Sequence, residues 1–216
     1  GPPEGEAGVG INWCQFIGGD SAYTLNQDVN SSGTCFTLNG SNIDFNCAGF
    51  RINYSESESG HGFYTQEGFD NITIKNCNIY GATSVASDGV NFNGTKNATL
   101  RDSNITTLGG ASRGVLISSA NLTYVIDNTF NMSGDSGAVG ILLAASHHSI
   151  INNNTFILNN SNSYGFKILS VSTNNTIINN NITIDGPETI YDDNSATLNN
   201  TLIYNNSFGQ ITWVST

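Results

Sequence analysis

Ile74-Lys75-Asn76-Cys77-Asn78-Ile79 returns 26 residues later as Leu100-Arg101-Asp102-Ser103-Asn104-Ile105. It returns again as Val125-Ile126-Asp127-Asn128-Thr129-Phe130 and as Ile151-Asn152-Asn153-Asn154-Thr155-Phe156. Two further copies are Ile177-Ile178-Asn179-Asn180-Asn181-Ile182 and Ile203-Tyr204-Asn205-Asn206-Ser207-Phe208. The polar column Asn76, Asp102, Asp127, Asn153, Asn179 and Asn205 has spacings of 26, 25, 26, 26 and 26. A fixed period of this length marks one structural unit stacked on itself.

Two residues before the polar column stands an aliphatic one, Ile74, Leu100, Val125, Ile151, Ile177 and Ile203. Three residues after it stands an apolar column, Ile79, Ile105, Phe130, Phe156, Ile182 and Phe208. Residues two apart on a strand share a face. The alternation therefore predicts that the polar column points inward with the aliphatic one, as a structural ladder of stacked, mutually bonded side chains, before the chain bends. Asn suits such a bend because it tolerates unusual backbone angles and bonds nearby backbone groups.

A glycine and an apolar residue precede each copy: Gly62-Phe63, Gly89-Val90, Gly114-Val115, Gly140-Ile141 and Gly165-Phe166. Phe92, Ile117, Leu143 and Ile168 then continue a period of two. Each repeat thus holds two or three short strands. Segments rich in Ile, Thr, Phe and Asn and broken by Gly read poorly as helix. Strands at a constant period without helices predict an all-β parallel solenoid of about seven coils, roughly 34 Å long at about 4.8 Å per coil. Cys35-Phe36-Thr37-Leu38 and Asn42 to Phe50 read as a degenerate first coil, with Cys47 in the polar column. The expected organisation is an N-terminal extension or cap over 1–34, the solenoid over 35–208 and a C-terminal strand over 209–216.

The phrase Asn71-Ile72-Thr73-Ile74 followed by Asn76 to Ile79 resembles the right-handed parallel β-helix repeat of the pectate-lyase-like superfamily. The opening Tyr23-Thr24-Leu25, Gly33 to Leu38 and Asn46-Cys47-Ala48-Gly49-Phe50 is similar to β-helix domains of archaeal cell-surface proteins. The resemblance implies a fold shared by lyases, hydrolases, adhesins and scaffolds, and so implies no single activity.

The chain has 216 residues, about one domain. A start at Gly1 without Met reads as a processed or recombinant chain whose export signal has already gone. Six Lys and Arg against 17 acids give a net charge of −11, which disfavours nucleic acid and anionic membranes as partners. No apolar run is long enough to span a bilayer. Asn supplies 33 residues, and fifteen Asn-x-Ser/Thr sequons occur. Asn30, Asn39, Asn53, Asn71, Asn93, Asn97, Asn104, Asn121, Asn131, Asn159, Asn174, Asn181 and Asn199 are candidate N-glycan carriers. Asn153 and Asn205 are expected to be poor acceptors because their column is expected to be buried. Cys14, Cys35, Cys47 and Cys77 contain no Cys-x-x-Cys pair, which favours disulfides over metal. Three pairings are possible; the favoured one is Cys14–Cys35, tying the cap to the first coil, with Cys47–Cys77 tying the first coil to the second.

Candidate chemistry is sparse. Gly60-His61-Gly62 resembles the Gly-His-Gly of polygalacturonases, but the Asp pair and Arg-x-Lys of those enzymes are missing, so a turn before the Phe63 strand is the simpler reading. Asp102 and Asp127 are expected to stack, which can support acid–base work but here more simply replaces Asn in the ladder. Asp185, Glu188, Asp192 and Asp193 form the densest acidic stretch and are a candidate calcium site, against a solvated loop as the default. Glu56-Ser57-Glu58 reads as an exposed loop. His147 and His148 precede a strand, and since adjacent strand residues point to opposite faces they are expected to form no joint metal site. Tyr54, Tyr64, Tyr80, Tyr164, Tyr191 and Tyr204 are the aromatic residues left for sugar contacts. A Thr-based ice-binding rank at Thr73 and Thr99 is interrupted by Tyr124 and Ile150.

The reading that follows is a non-enzymatic, cofactor-free, extracellular structural protein. It is a glycosylated subunit of a surface layer, sheath or filament, assembled with copies of itself by head-to-tail contacts. The alternative is a carbohydrate-binding or polysaccharide-cleaving β-helix module, as in an adhesin or tailspike.

Overall fold

The computed structural model describes residues 8–82, 87–134, 137–159, 163–184, 190–192 and 202–208. The proposed strand over 209–216 lies outside them. Each coil contributes one strand to each of three parallel sheets. In one coil these strands are Ile72–Lys75 in sheet one, Asn78–Gly81 in sheet three and Asp88–Asn93 in sheet two. Among the described residues, sheet one has nine strands and sheets two and three have eight each. The chain is therefore an all-β parallel solenoid, with a coil count near the seven expected. Val9–Ile11, Ser21–Leu25 and Val29–Asn30, from the N-terminal stretch, join the same sheets.

The core is built from the repeated columns. Phe45, Ile74, Leu100, Val125, Ile151 and Ile177 pair in register through sheet one and are fully buried. Ile79, Ile105, Phe130, Phe156 and Ile182 do the same in sheet three. Phe130 and Phe156 stack with ring centroids 4.7 Å apart. Cys14–Cys35 and Cys47–Cys77 are both disulfide-bonded, as the favoured pairing anticipated.

The polar column requires a correction. Asn76, Asp102, Asp127, Asn153, Asn179 and Asn205 do not point inward; all six are exposed. Each has φ between 52° and 59°, the left-handed region that Asn and Asp tolerate better than most residues. That one residue turns the chain from sheet one to sheet three and breaks the alternation. The side chain expected inside swings out, and the next residue swings in. Asn153 and Asn205 are thus on the surface, contrary to the expectation for those two sequons. The column still bonds between coils from outside: Asn153 Nδ2 donates to Asp127 Oδ1 at 2.6 Å, and Asn205 Nδ2 to Asn179 Oδ1.

The inward column is Cys77, Ser103, Asn128, Asn154, Asn180 and Asn206. Asn128, Asn154 and Asn180 are 1% exposed, so their amides need partners within the protein. Asn154 Oδ1 accepts from Asn128 N and Nδ2 at 3.0 and 3.1 Å. Its own Nδ2 donates to Asn180 Oδ1 at 2.9 Å and to Val125 O at 2.8 Å. The pattern repeats one coil on, where Asn180 Nδ2 donates to Asn206 Oδ1 and Ile151 O, each at 3.0 Å.

Asn154→Ala deletes the acceptor for two donors and leaves the Val125 carbonyl without its amide, so a loss of roughly 2–4 kcal/mol is expected in denaturant unfolding. Asn153→Gly keeps the left-handed bend and is expected to stay within about 0.5 kcal/mol of the parent. Equal losses at the two positions would contradict this division between ladder and bend.

Candidate active site on the outer face of sheet two

The glycine column shapes this face. A Cβ on Gly62 would lie 2.5 Å from Gly89 O and 2.7 Å from the inward Ile79 side chain. Gly89 would meet Gly114 O and Ile105, and Gly114 would meet Gly140 O and Phe130, at 2.5–2.7 Å. The missing side chain therefore points into the core, as does that of the following Phe63, Val90 or Val115, all fully buried. Two successive inward residues interrupt the alternation, as a β-bulge does. The residue before each glycine and the residue two after it consequently share the outer face.

Two adjacent outer columns result. One runs His61, Asp88, Arg113, Val139, Tyr164, and the other Tyr64, Asn91, Leu116, Leu142, Lys167. The shared face is visible in contacts within a single strand: His61 stacks on Tyr64 with centroids 5.3 Å apart, and Asn91 Nδ2 donates to Asp88 Oδ2 at 3.1 Å.

Asp88 is the centre of a charged cluster spanning three coils, roughly 10 Å. Its side chain is fully buried. Arg113 Nε donates to Asp88 Oδ1. His61 Nδ1 lies 3.1 Å from Asp88 Oδ2, in ion-pair range but off the line of a hydrogen bond. His61 and Arg113 are 24% and 27% exposed and form the accessible rim. A buried carboxylate is tolerated when paired and hydrogen-bonded in this way. Because a carboxylate only accepts, the Asn91 amide must turn its nitrogen to Asp88, which leaves Asn91 Oδ1 buried without a hydrogen bond.

Beneath the cluster lies Tyr54, which is fully buried and not a surface aromatic as expected from sequence. Its Oη has no hydrogen-bond partner. Burial, and then the Asp88 charge, push its phenol well above the ordinary tyrosine value. Tyr64, Tyr80 and Tyr164 are half-buried on outer faces, with Arg51 4.0 Å over the Tyr80 ring and Lys167 5.7 Å over Tyr164.

Chemically, the cluster offers an imidazole at the surface, a carboxylate close behind it, and a guanidinium whose Nη groups are left to meet an anion or hydroxyls. Sequence reasoning took His61 as a turn residue; it opens the strand His61–Thr65. It also passed over Asp88 and Arg113. Their signal was present in the residue before each repeated glycine: His61-Gly62, Asp88-Gly89, Arg113-Gly114.

The other candidates fall elsewhere. Asp102 and Asp127 are exposed at the bends, and Glu56 to Glu58 are exposed as expected. Asp185, Glu188 and Asp193, like Asn199, lie outside the described residues, and Asp192 enters only as the end of the strand Ile190–Asp192. Among the described residues no group of three His, Cys, Asp or Glu side chains is placed to hold a metal ion. His147 forms a parallel bridge with Asn121 and His148 follows at a bend with φ 55°; they stand between the buried Ser146 and Ser149, His147 half-buried and His148 exposed. His147 Nδ1 meets Thr173 Oγ1 at 2.8 Å, and His148 Nδ1 meets Asn121 Oδ1 at 3.1 Å. Thr73, Thr99, Tyr124 and Ile150 align across sheet one as expected.

Comparison with known proteins agrees with the geometry. Residues 27–212 match the family described as the right handed beta helix region. The chain belongs to the right-handed β-helix family. No curated protein matches the sequence significantly. Among solved structures, the chain is similar to an alginate lyase from Paenibacillus sp. strain FPU-7, with a TM-score of 0.53 and 12% identity over 97% of this chain and 92% of that one. It is also matched to the A-module of the Azotobacter vinelandii mannuronan C-5 epimerase AlgE4, with a TM-score of 0.34 and 10% identity over 97% of this chain and 84% of that one. These likenesses concern the fold. The expectation of a non-enzyme is nevertheless corrected: it rested on the lack of a catalytic constellation, whereas this right-handed β-helix has its fold in common with an alginate lyase and carries a His–Asp–Arg cluster on one face.

Two outcomes test the cluster. Tyr54→Phe removes an unpaired buried hydroxyl, so stability at neutral pH is expected to be unchanged or higher. The raised Tyr54 value means that the folded protein holds this proton above pH about 10, where the unfolded chain releases it. The associated stability is present below pH about 10 and is lost as pH rises further, so Tyr54→Phe is expected to unfold less steeply in alkali, as followed by circular dichroism. Arg113→Met leaves Asp88 buried beside no permanent cation, and a loss of roughly 3–5 kcal/mol is expected in the same assay.

Proposed function

We propose that this chain is a polysaccharide-acting β-helix protein whose reactive face is the outer side of sheet two. The observation that carries this reading is the His61–Asp88–Arg113 cluster on adjacent coils. Asp88 places a carboxylate 3.1 Å from the Nδ1 side of the imidazole, and Nε2 is left to exchange a proton with substrate. Arg113 spends Nε on Asp88, and its Nη groups meet a sugar carboxylate. Tyr64, stacked on His61, forms one wall.

The reaction class this arrangement suits is removal of a proton next to a sugar carboxylate. The carbon-bound proton passes to His61 Nε2, and the freed electron pair forms a C=C bond. The neighbouring C–O glycosidic bond breaks, and its oxygen leaves as an alcohol by taking the proton that His61 Nε2 has just received. Arg113 offsets the charge that builds on the carboxylate. An alginate-type polyuronate is therefore the first substrate to try. The two disulfides are compatible with an oxidising site of action outside the cell. Among the described residues no helix is long and apolar enough to cross a membrane.

Incubation with alginate, pectate and neutral polysaccharides, read by the ultraviolet absorbance of unsaturated uronate products and by new reducing ends, tests the proposal. Turnover of a polyuronate is expected, with His61→Gln slower by roughly 100- to 10,000-fold. Because the protein carries −11, approach of a polyanion is expected to speed up with added salt. Absence of both binding and cleavage for every polymer, or an undiminished His61→Gln, would sink it.

A further inference from the structure

The fourteen sequon asparagines within the described residues are not equivalent once folded. Most spend the amide nitrogen, the atom an N-glycan occupies, on a bond to the neighbouring coil. Asn53 Nδ2 donates to Asn30 Oδ1 at 2.6 Å, and Asn71 to Asn42 and Asn97 to Asn71 at 2.9 Å. Asn104 donates to Asn78 at 2.9 Å, and Asn159 to Asn131 at 2.8 Å. Asn153 and Asn205 are engaged in the surface ladder described above. Asn174 Nδ2 lies 3.4 Å from His148 Nε2, and Asn93 Nδ2 lies 3.4 Å from Tyr64 Oη. A sugar ring on such a nitrogen would have to displace a contact to the next coil, in a lattice whose spacing is only about 4.8 Å. Asn121 and Asn131 keep their nitrogen uncommitted, but both are half-buried.

Three sequon asparagines are both exposed and uncommitted at Nδ2: Asn30, Asn39 and Asn181. Asn30 only accepts, through Oδ1. The hydroxyl residues of two of these sequons, Ser32 and Thr183, are exposed as well. Asn30 and Asn181 stand on sheet three, and Asn39 follows the strand Phe36–Leu38 of sheet two. None of the three belongs to the Asp88 cluster.

We propose that Asn30, Asn39 and Asn181 are N-glycosylation sites, and that the laddered sequons stay bare. The donor is a lipid-linked oligosaccharide. Its sugar C1–O bond to phosphate breaks and the phosphate leaves with the electron pair. The C1–Nδ2 bond forms, and the amide gives up one proton. The abundance of sequons is then mostly a by-product of Asn and Thr in the stacking positions, and the modification follows the few amides that stacking does not use.

Glycopeptide mass spectrometry on the protein purified from its native source, with enzymatic release of N-glycans in heavy-oxygen water to mark the attachment asparagine, decides the matter. Glycan is expected at Asn30, Asn39 and Asn181 and absent from Asn71, Asn97, Asn104 and Asn159. The triple variant Asn30→Gln, Asn39→Gln, Asn181→Gln from the same host is expected to lose all N-glycan mass while keeping the thermal midpoint of enzymatically deglycosylated parent. Bare asparagine at all three positions, or glycan on the laddered residues, would overturn the proposal. Neither result depends on whether the protein cleaves a polysaccharide.

Discussion

Each coil must redirect the chain from sheet one to sheet three at a single residue, and the rest of the solenoid depends on how that corner is satisfied. A left-handed residue makes the turn, which is why Asn and Asp recur there. The turn brings the following side chain into the core, where backbone donors and carbonyls at the corner would otherwise be unpaired. The inward amides of Asn128, Asn154 and Asn180 satisfy them and one another. Corner conformation and internal ladder are thus one device: the first residue tolerates the angle, and the second supplies the bonds.

The glycine column plays the complementary part in sheet two. No side chain fits at Gly62, Gly89 or Gly114, and the close backbone approach there turns the preceding residue outward. A constraint of packing therefore decides which residues meet on the surface. It gathers His61, Asp88 and Arg113 although they are separated by 27 and 25 residues in sequence. Asp88 is held between a guanidinium and an imidazole, and that arrangement allows a carboxylate at zero exposure to remain useful.

The architecture was legible in the sequence because the repeat is nearly regular and its apolar columns are long. The disulfide pairing was legible because the four cysteines fall in consecutive coils near one end. The facing of the polar column was not. Alternation by two holds along an extended strand and fails at a left-handed residue, so Asn153 was placed inside where Asn154 belongs. The same kind of failure hid the site. Reading through Gly89 as an ordinary strand residue separates Asp88 from Asn91, although the two are hydrogen-bonded on one face. Tyr54 shows the reverse, a residue whose polar end suggests a surface that its burial denies.

Both covalent crosslinks lie within the first 77 residues. In a one-dimensional stack each coil is stabilised only by its neighbours, so thermal opening starts at an end and propagates inward. Stitching the N-terminal coils opposes that opening where the crosslinks lie. The strand carrying His61 follows the Cys47 coil, and those carrying Asp88 and Arg113 come within two coils after Cys77. The His61, Asp88 and Arg113 cluster is therefore housed beside the crosslinked coils.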